Sequence, residues 1–169
     1  MTTTPSESLV IMGVAGCGKS SLAAAVSAAC GLALLEGDDF HSAANRLKMA
    51  QGEALTDADR SGWLASLGTQ LQQHPDGAVL SCSALKLVYR ERLRHAQPGL
   101  RFVFLRIDEA TARARVAARG PGHYFTAGLV SSQFAALESP LAEPGVLPLD
   151  ATSPLTLLTS QVVAWRAGL

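Results

Sequence analysis

The chain has no excess of either charge. Lys plus Arg number 14 and Asp plus Glu 14 among its 169 residues, so the formal net charge is zero. A nucleic-acid binder ordinarily carries a basic excess, so no nucleic-acid partner is expected. Cysteine is scarce as well. Cys17, Cys30 and Cys82 are widely spaced and odd in number, which excludes a disulfide framework and a zinc pattern. A reducing cytoplasm is the expected compartment. No apolar run approaches the roughly 18–20 residues that span a bilayer, so no membrane partner is expected. The opening MTTTPSES has neither the basic start nor the apolar core of a signal peptide. Repeats and low-complexity linkers are missing too. What is present is 48% hydrophobic and 17% charged residues, enough for one domain with a core of its own over 1–169.

Short apolar segments alternate with helical patterns. SLVIM (8–12), LALLEGD (32–38), AVLSC (78–82), RFVFLRI (101–107) and VLPLD (146–150) read as strands, the last weakened by Pro148. Helices are predicted over 20–29, stopped by Gly31, over 42–50, and after a Thr56 N-cap. In the last of these Trp63, Leu64, Leu67 and Leu71 share a face. Further helices are predicted over 84–95 (basic), 109–119 (Arg-bearing) and 127–137, before a closing stripe of Leu155, Leu158, Val162 and Trp165. This alternation predicts an α/β fold, a five-stranded parallel sheet with helices on both faces. Such sheets place their sites beyond the carboxyl ends of the strands.

GVAGCGKS (13–20) lies between the first strand and the first helix. Gly13, Gly18, Lys19 and Ser20 match G-x-x-x-x-G-K-S/T, the phosphate loop. Its glycines let successive N–H groups turn inward on phosphate oxygens, and the helix N-terminus adds its positive end. Lys19 reaches the β- and γ-phosphates, and the Ser20 hydroxyl can ligate Mg²⁺. The candidate nucleotide site is therefore Gly13, Val14, Ala15, Gly16, Cys17, Gly18, Lys19, Ser20 and Ser21. Cys17 reads either as an oxidation-sensitive thiol or as a small residue tolerated there. A guanine-reading NKxD is absent, and the chain leaves little room for a motor's machinery, so a small kinase is the favoured class. No Walker B aspartate ends the third strand.

Three later stretches bear on the acceptor. In EGDDFH (36–41), Asp38 can accept a hydrogen bond from a hydroxyl and help remove its proton, orient Mg²⁺ through water, or merely cap a helix. His41 follows the same strand end, or is simply a solvated or satisfied histidine. Lys48 and Arg60 can bind an anion or serve as surface charges. In CSALKLVYRERLR (82–94), Lys86 and Arg90 fall four apart, on one face extended by Arg94. That face suits a carboxylate, or simply faces water. In RARVAARGPGHYF (113–125), Arg115 and Arg119 share a face before a glycine-interrupted loop. A mobile loop with paired arginines can close over ATP and offset charge on the transferring group.

With these stretches together, the chain resembles the gluconokinase family of small bacterial type. The resemblance rests on MGVAGCGKS, GDDFH…N…KM…GEALTDADR…WL, CSALKLVYRERLR and HYF…LVSSQFAALESP, roughly residues 9 to 150. It implies a three-layer P-loop sandwich of the nucleoside-monophosphate-kinase type, with an acceptor-side insertion near 40–72 and a helical lid near 113–137. It implies ATP and Mg²⁺ as cofactors, D-gluconate as substrate, phosphorylation at its 6-hydroxyl, and a homodimer. Lys19, Asp38 and Arg119 take the catalytic places and Ser20 the metal's. Arg115 and Arg119 join the nucleotide site. Asp38, His41, Lys48, Arg60, Lys86, Arg90 and His123 take the acceptor side. The chain departs from the family at Ser42, where proline is usual, and at Glu36-Gly37-Asp38, where Asp-Gly-Asp is common. It also departs at an added Gly-Pro before Gly122-His123 and at Tyr124 for Phe. A kinase for another small anionic acceptor such as shikimate is the alternative. Shikimate kinases carry a Gly-Gly-Gly turn where this chain has CSALK. A regulatory nucleotide-binding module would lack the acceptor-side residues.

Overall fold

All five expected strands form in the computed structural model, which describes residues 6–120 and 127–168. They are β1 (Leu9–Met12), β2 (Ala33–Glu36), β3 (Ala78–Ser81), β4 (Arg101–Arg106) and β5 (Val146–Asp150). The sheet is parallel throughout, in the order β2-β3-β1-β4-β5. β1 is central and fully buried, which is why it reads as an unbroken apolar run rather than an alternating one. Pro148 is tolerated because β5 is an edge, where a missing N–H leaves no ladder bond unmade.

The helices are α1 (Lys19–Cys30), α2 (Ala43–Ala50), α3 (Asp57–Gln72), α4 (Leu87–Ala96), α5 (Glu109–Ala118), α6 (Ala127–Ala136) and α7 (Leu155–Arg166). Side chains alternate across the sheet and so define two cores. Leu9, Ile11, Val103 and Leu105 meet Leu22, Val26, Val116, Val130, Leu158 and Val162 on one face. Val10, Met12, Phe102 and Phe104 meet Trp63, Leu64, Leu67, Leu71, Tyr89 and Leu93 on the other. This is the three-layer arrangement the alternation predicts. Leu155 departs from the expected α7 stripe. It is the first residue of the helix and is 44% exposed, while Leu158 and Val162 are buried.

Three loop junctions at the carboxyl ends of β1, β2 and β3 are drawn together. The Gly13 N–H donates to Ser83 O at 3.3 Å and the Cys82 N–H to Ile11 O at 3.1 Å. After β2 the chain makes a 3₁₀ turn, Gly37–Phe40. A Cβ on Gly37 would stand 2.4 Å from Ser81 O, so only glycine lets this turn press against β3. That close approach brings Asp38 to the mouth of the phosphate loop.

Candidate active site

The phosphate loop is shaped from behind. Gly13 has φ 148°, and a Cβ there would meet Cys17 Sγ at 2.7 Å. Cys17 is 1% exposed and belongs to the core, so its thiol fills the space that the glycine leaves. Of the two readings of Cys17, the packing one holds. Arg115 donates to Gly16 O at 3.3 Å and to Ala151 O at 3.2 Å, which ties the loop to the turn after β5. Lys19 Nζ rests on Val14 O at 3.0 Å, within the loop it serves. Ser20 Oγ donates to Glu36 Oε2 at 3.0 Å. Glu36 ends β2 and was not expected among the site residues.

The loop opens on a cleft of about 110 Å³, whose walls include Lys19, Ser20, Asp38, His41, Arg60, Trp63, Arg119 and Gln133. His41 stacks on Trp63 with ring centroids 4.3 Å apart, and Trp63 Nε1 donates to Gly37 O at 2.7 Å. Burial lowers the His41 pKa from 6.5 to about 4, against the pull of Asp38 and with the help of Arg60 and Arg46. The ring is thus neutral near pH 7. Asn45 Nδ2 faces its Nδ1 at 3.4 Å as a donor, which leaves the proton on Nε2, 4.0 Å from Asp38 Oδ1. Asp38 does not cap the following helix. Ser42 does so, accepting from the Asn45 N–H at 3.1 Å, and Asp38 keeps an exposed carboxylate in the cleft.

Arg60 lines both this cleft and a second cavity of about 250 Å³, whose walls include Thr56, Asp57, Lys86, Ser132 and Gln133. It donates through Nη1 to Leu55 O at 2.6 Å and lies over the Tyr89 ring. Asp57 accepts from Lys86 at 2.9 Å and from the Tyr89 hydroxyl. Those two bonds hold its carboxyl below the usual range. Asp59 binds Lys48 at 2.9 Å while closing a capping box with Thr56. The Thr56 N–H and Lys48 draw its pKa down to about 2. Lys48 therefore braces the start of α3 and lines neither cavity.

Arg90, expected on the acceptor side, lies instead in the interior. It is fully buried and donates to Ala84 O at 2.7 Å, to Glu138 O at 2.9 Å and from Nε to both Glu143 oxygens at 3.0 Å. It lines neither the cleft nor the second cavity. The shared face with Lys86 fails because α4 starts only at Leu87, and Lys86 precedes it with extended backbone. Arg94, which was to extend that face, also turns to Glu143, at 2.8 Å. Arg119 follows α5 and lines the cleft, whereas His123 lies outside the described residues. Two further residues escaped the sequence reading. Both lie in stretches that carry the family resemblance, WL and LVSSQFAALESP, but Trp63 reads there as core and Gln133 has no role assigned. Its Oε1 accepts from the Ala15 N–H at 2.7 Å across 118 residues of chain.

Phosphate-cradling amides on one wall and groups suited to a hydroxyl and a carboxylate on the other define the class, a P-loop kinase of a small molecule. Known proteins narrow it. The family described as an AAA domain matches residues 9–144. The chain is 40% identical over 150 residues to the thermoresistant gluconokinase of Escherichia coli (strain K12), covering 86% of this chain and 85% of that one. It is 44% identical over 136 residues to the gluconokinase of Gluconobacter oxydans (strain 621H), covering 78% and 75%. The crystal structure of a gluconokinase from Sinorhizobium meliloti 1021 matches with a TM-score of 0.87 at 40% identity, over 98% of this chain and 94% of that one. The chain belongs to the gluconokinase family, and membership implies use of ATP.

Proposed function

We propose that the protein transfers the γ-phosphoryl group of ATP to the 6-hydroxyl of D-gluconate, giving ADP and 6-phospho-D-gluconate. One observation carries this reading. The cleft that holds the phosphate loop and Asp38 shares Leu55, Arg60 and Gln133 with a second cavity, and that cavity bears a second cation, Lys86. A polyol with a hydroxyl at one end and a carboxylate at the other fits that sequence of groups. Arg60 has guanidinium donors left after its bond to Leu55 O, and these suit a carboxylate. Lys86 reaches the same cavity while paired with Asp57.

Asp38 accepts the hydrogen bond of the 6-hydroxyl and takes its proton as the new O–P bond forms and the bond to ADP breaks. Neutral His41, held by Trp63 and Asn45, stands beside the Asp38 carboxylate with its Nε2 4.0 Å away, beyond direct hydrogen-bond reach. Lys19 leaves Val14 O for the phosphates, and Arg119 follows the charge on the transferring group. The Ser20 hydroxyl and Glu36 carboxylate form an all-oxygen pair beside the loop, which fits Mg²⁺. A kinase metal needs only one or two such groups, the rest being phosphates and waters. Ser20 and Glu36 would hold the ion, which would supply charge neutralisation to the phosphates.

Residues 40–72 form the acceptor side in this reading, and 113–137 the lid of a single domain over 1–169. A homodimer is proposed from the family resemblance, and a cytoplasmic setting from the three widely spaced cysteines. Among the described residues no helix is long and apolar enough to cross a membrane. The test is coupled ADP release across D-gluconate, related sugar acids and shikimate. Release that is no faster with gluconate than without a sugar acid overturns the reading. Faster release with shikimate than with gluconate favours the other kinase.

A further inference from the structure

We propose that Gln133 is a further residue of the phosphoryl-transfer site, donating from Nε2 to the γ-phosphoryl oxygens. The inference rests on the kinase reading above and adds a residue to it. Gln133 is 4% exposed. Its Oε1 is identified by its bond, because the Ala15 N–H can only donate. The other amide atom is therefore Nε2, and no described group accepts from it. The sealed, unpartnered side-chain atoms among the described residues are Gln97 Oε1, Arg101 Nε and Arg166 Nε. The Gln133 nitrogen is not among them, so it opens on the cavities that Gln133 lines. Those cavities are the phosphate cleft and the one beyond Arg60.

Position selects the oxygens it meets. One end of the amide is fixed on the phosphate loop, so the other end lies against the same loop. The oxygens nearest to it in a filled site are those of the phosphate the loop holds. Its helix is fixed as well. Ser131 accepts from Arg113 at 2.5 Å and donates to Glu109 at 2.6 Å, which binds α6 to α5, and Leu129 and Val130 are buried. A donor held in place before the charge arrives costs no reorganisation during transfer. An amide also suits a site that already holds Lys19 and Arg119, since it adds a donor without adding charge.

Two variants test this, each measured for turnover with gluconate and for binding of Mg-ADP and of Mg-bound β,γ-imido-ATP. Gln133→Glu keeps an acceptor for the Ala15 N–H and replaces the donor with an anionic oxygen. We expect kcat to fall about 100-fold, the size of effect seen when one such donor is lost. We also expect imido-ATP to bind at least ~10-fold more weakly while ADP binding holds within about twofold, since only the former carries the γ-group. Turnover within about threefold of the parent overturns the proposal, as does equal weakening of both nucleotides, which would leave Gln133 only a brace for the loop. If Gln133→Glu does not fold, Gln133→Met decides by the same comparison. Selective loss of imido-ATP supports the proposal and unselective loss overturns it. A parent enzyme that releases no ADP with gluconate counts against the substrate alone, because the two nucleotide affinities still judge Gln133.

Discussion

The phosphate-loop lysine and the cation pair beyond it do different work, and substitution separates them. Lys19→Ala removes the only side-chain charge the loop itself brings to the phosphates. Turnover in a coupled ADP assay is expected to fall more than ~100-fold. Arg60→Ala removes a charge-assisted grip on the substrate carboxylate, and gluconate KM is expected to rise ~10–100-fold with kcat little changed. Lys86→Ala moves KM in the same direction by less, because Asp57 already shares its charge. An unchanged gluconate KM in either variant removes that residue from the carboxylate site. At this scale Lys19 and Ser20 were legible from spacing alone. Arg90 was not, because a guanidinium's partners are set by what folds over it.

Among the elements, α3 has the best-defined start. Thr56 accepts from the Asp59 N–H at 3.1 Å and Asp59 from the Thr56 N–H at 2.9 Å, a reciprocal box that also anchors Lys48. The first turn after it bears Asp57 and Arg60, and Trp63 follows on the buried face. Thr56→Ala is expected to cost about 1 kcal/mol in urea unfolding at pH 7. A loss indistinguishable from zero would mean that tertiary packing alone sets the helix start. Thr56 was visible in the sequence as a cap because capping chemistry is local. The start of α4 was misplaced by three residues for the opposite reason. Ala84 holds φ 46° while Arg90 Nη1 donates to its carbonyl, a contact that no pattern in CSALK announces.

Across the whole molecule, Glu143 joins α4 to the segment before β5. It accepts from buried Arg90 and from Arg94, itself stacked over Phe102 at 4.6 Å. Burial raises the Glu143 pKa, but the two arginines outweigh it and hold the carboxyl below its ordinary value. A depressed folded pKa stabilises fully above the unfolded value of 4.5 and loses that contribution as pH falls through the lower folded one. Glu143→Gln leaves Arg90 buried without a counter-charge and is expected to cost about 3–5 kcal/mol. Its stability should also fall less than the parent's on acidification below pH 4.5, measured by thermal unfolding. An equal acid response in both proteins would remove Glu143 from this role. By itself the sequence determined the phosphate loop, the alternating elements and the Thr56 cap, because each depends on neighbours a few residues apart. Only the tertiary structure decided that Arg90 pairs with Glu143, that Glu36 meets Ser20 and that Gln133 reaches Ala15. Those partners are separated by 53, 16 and 118 residues, and only packing against the sheet brings them together.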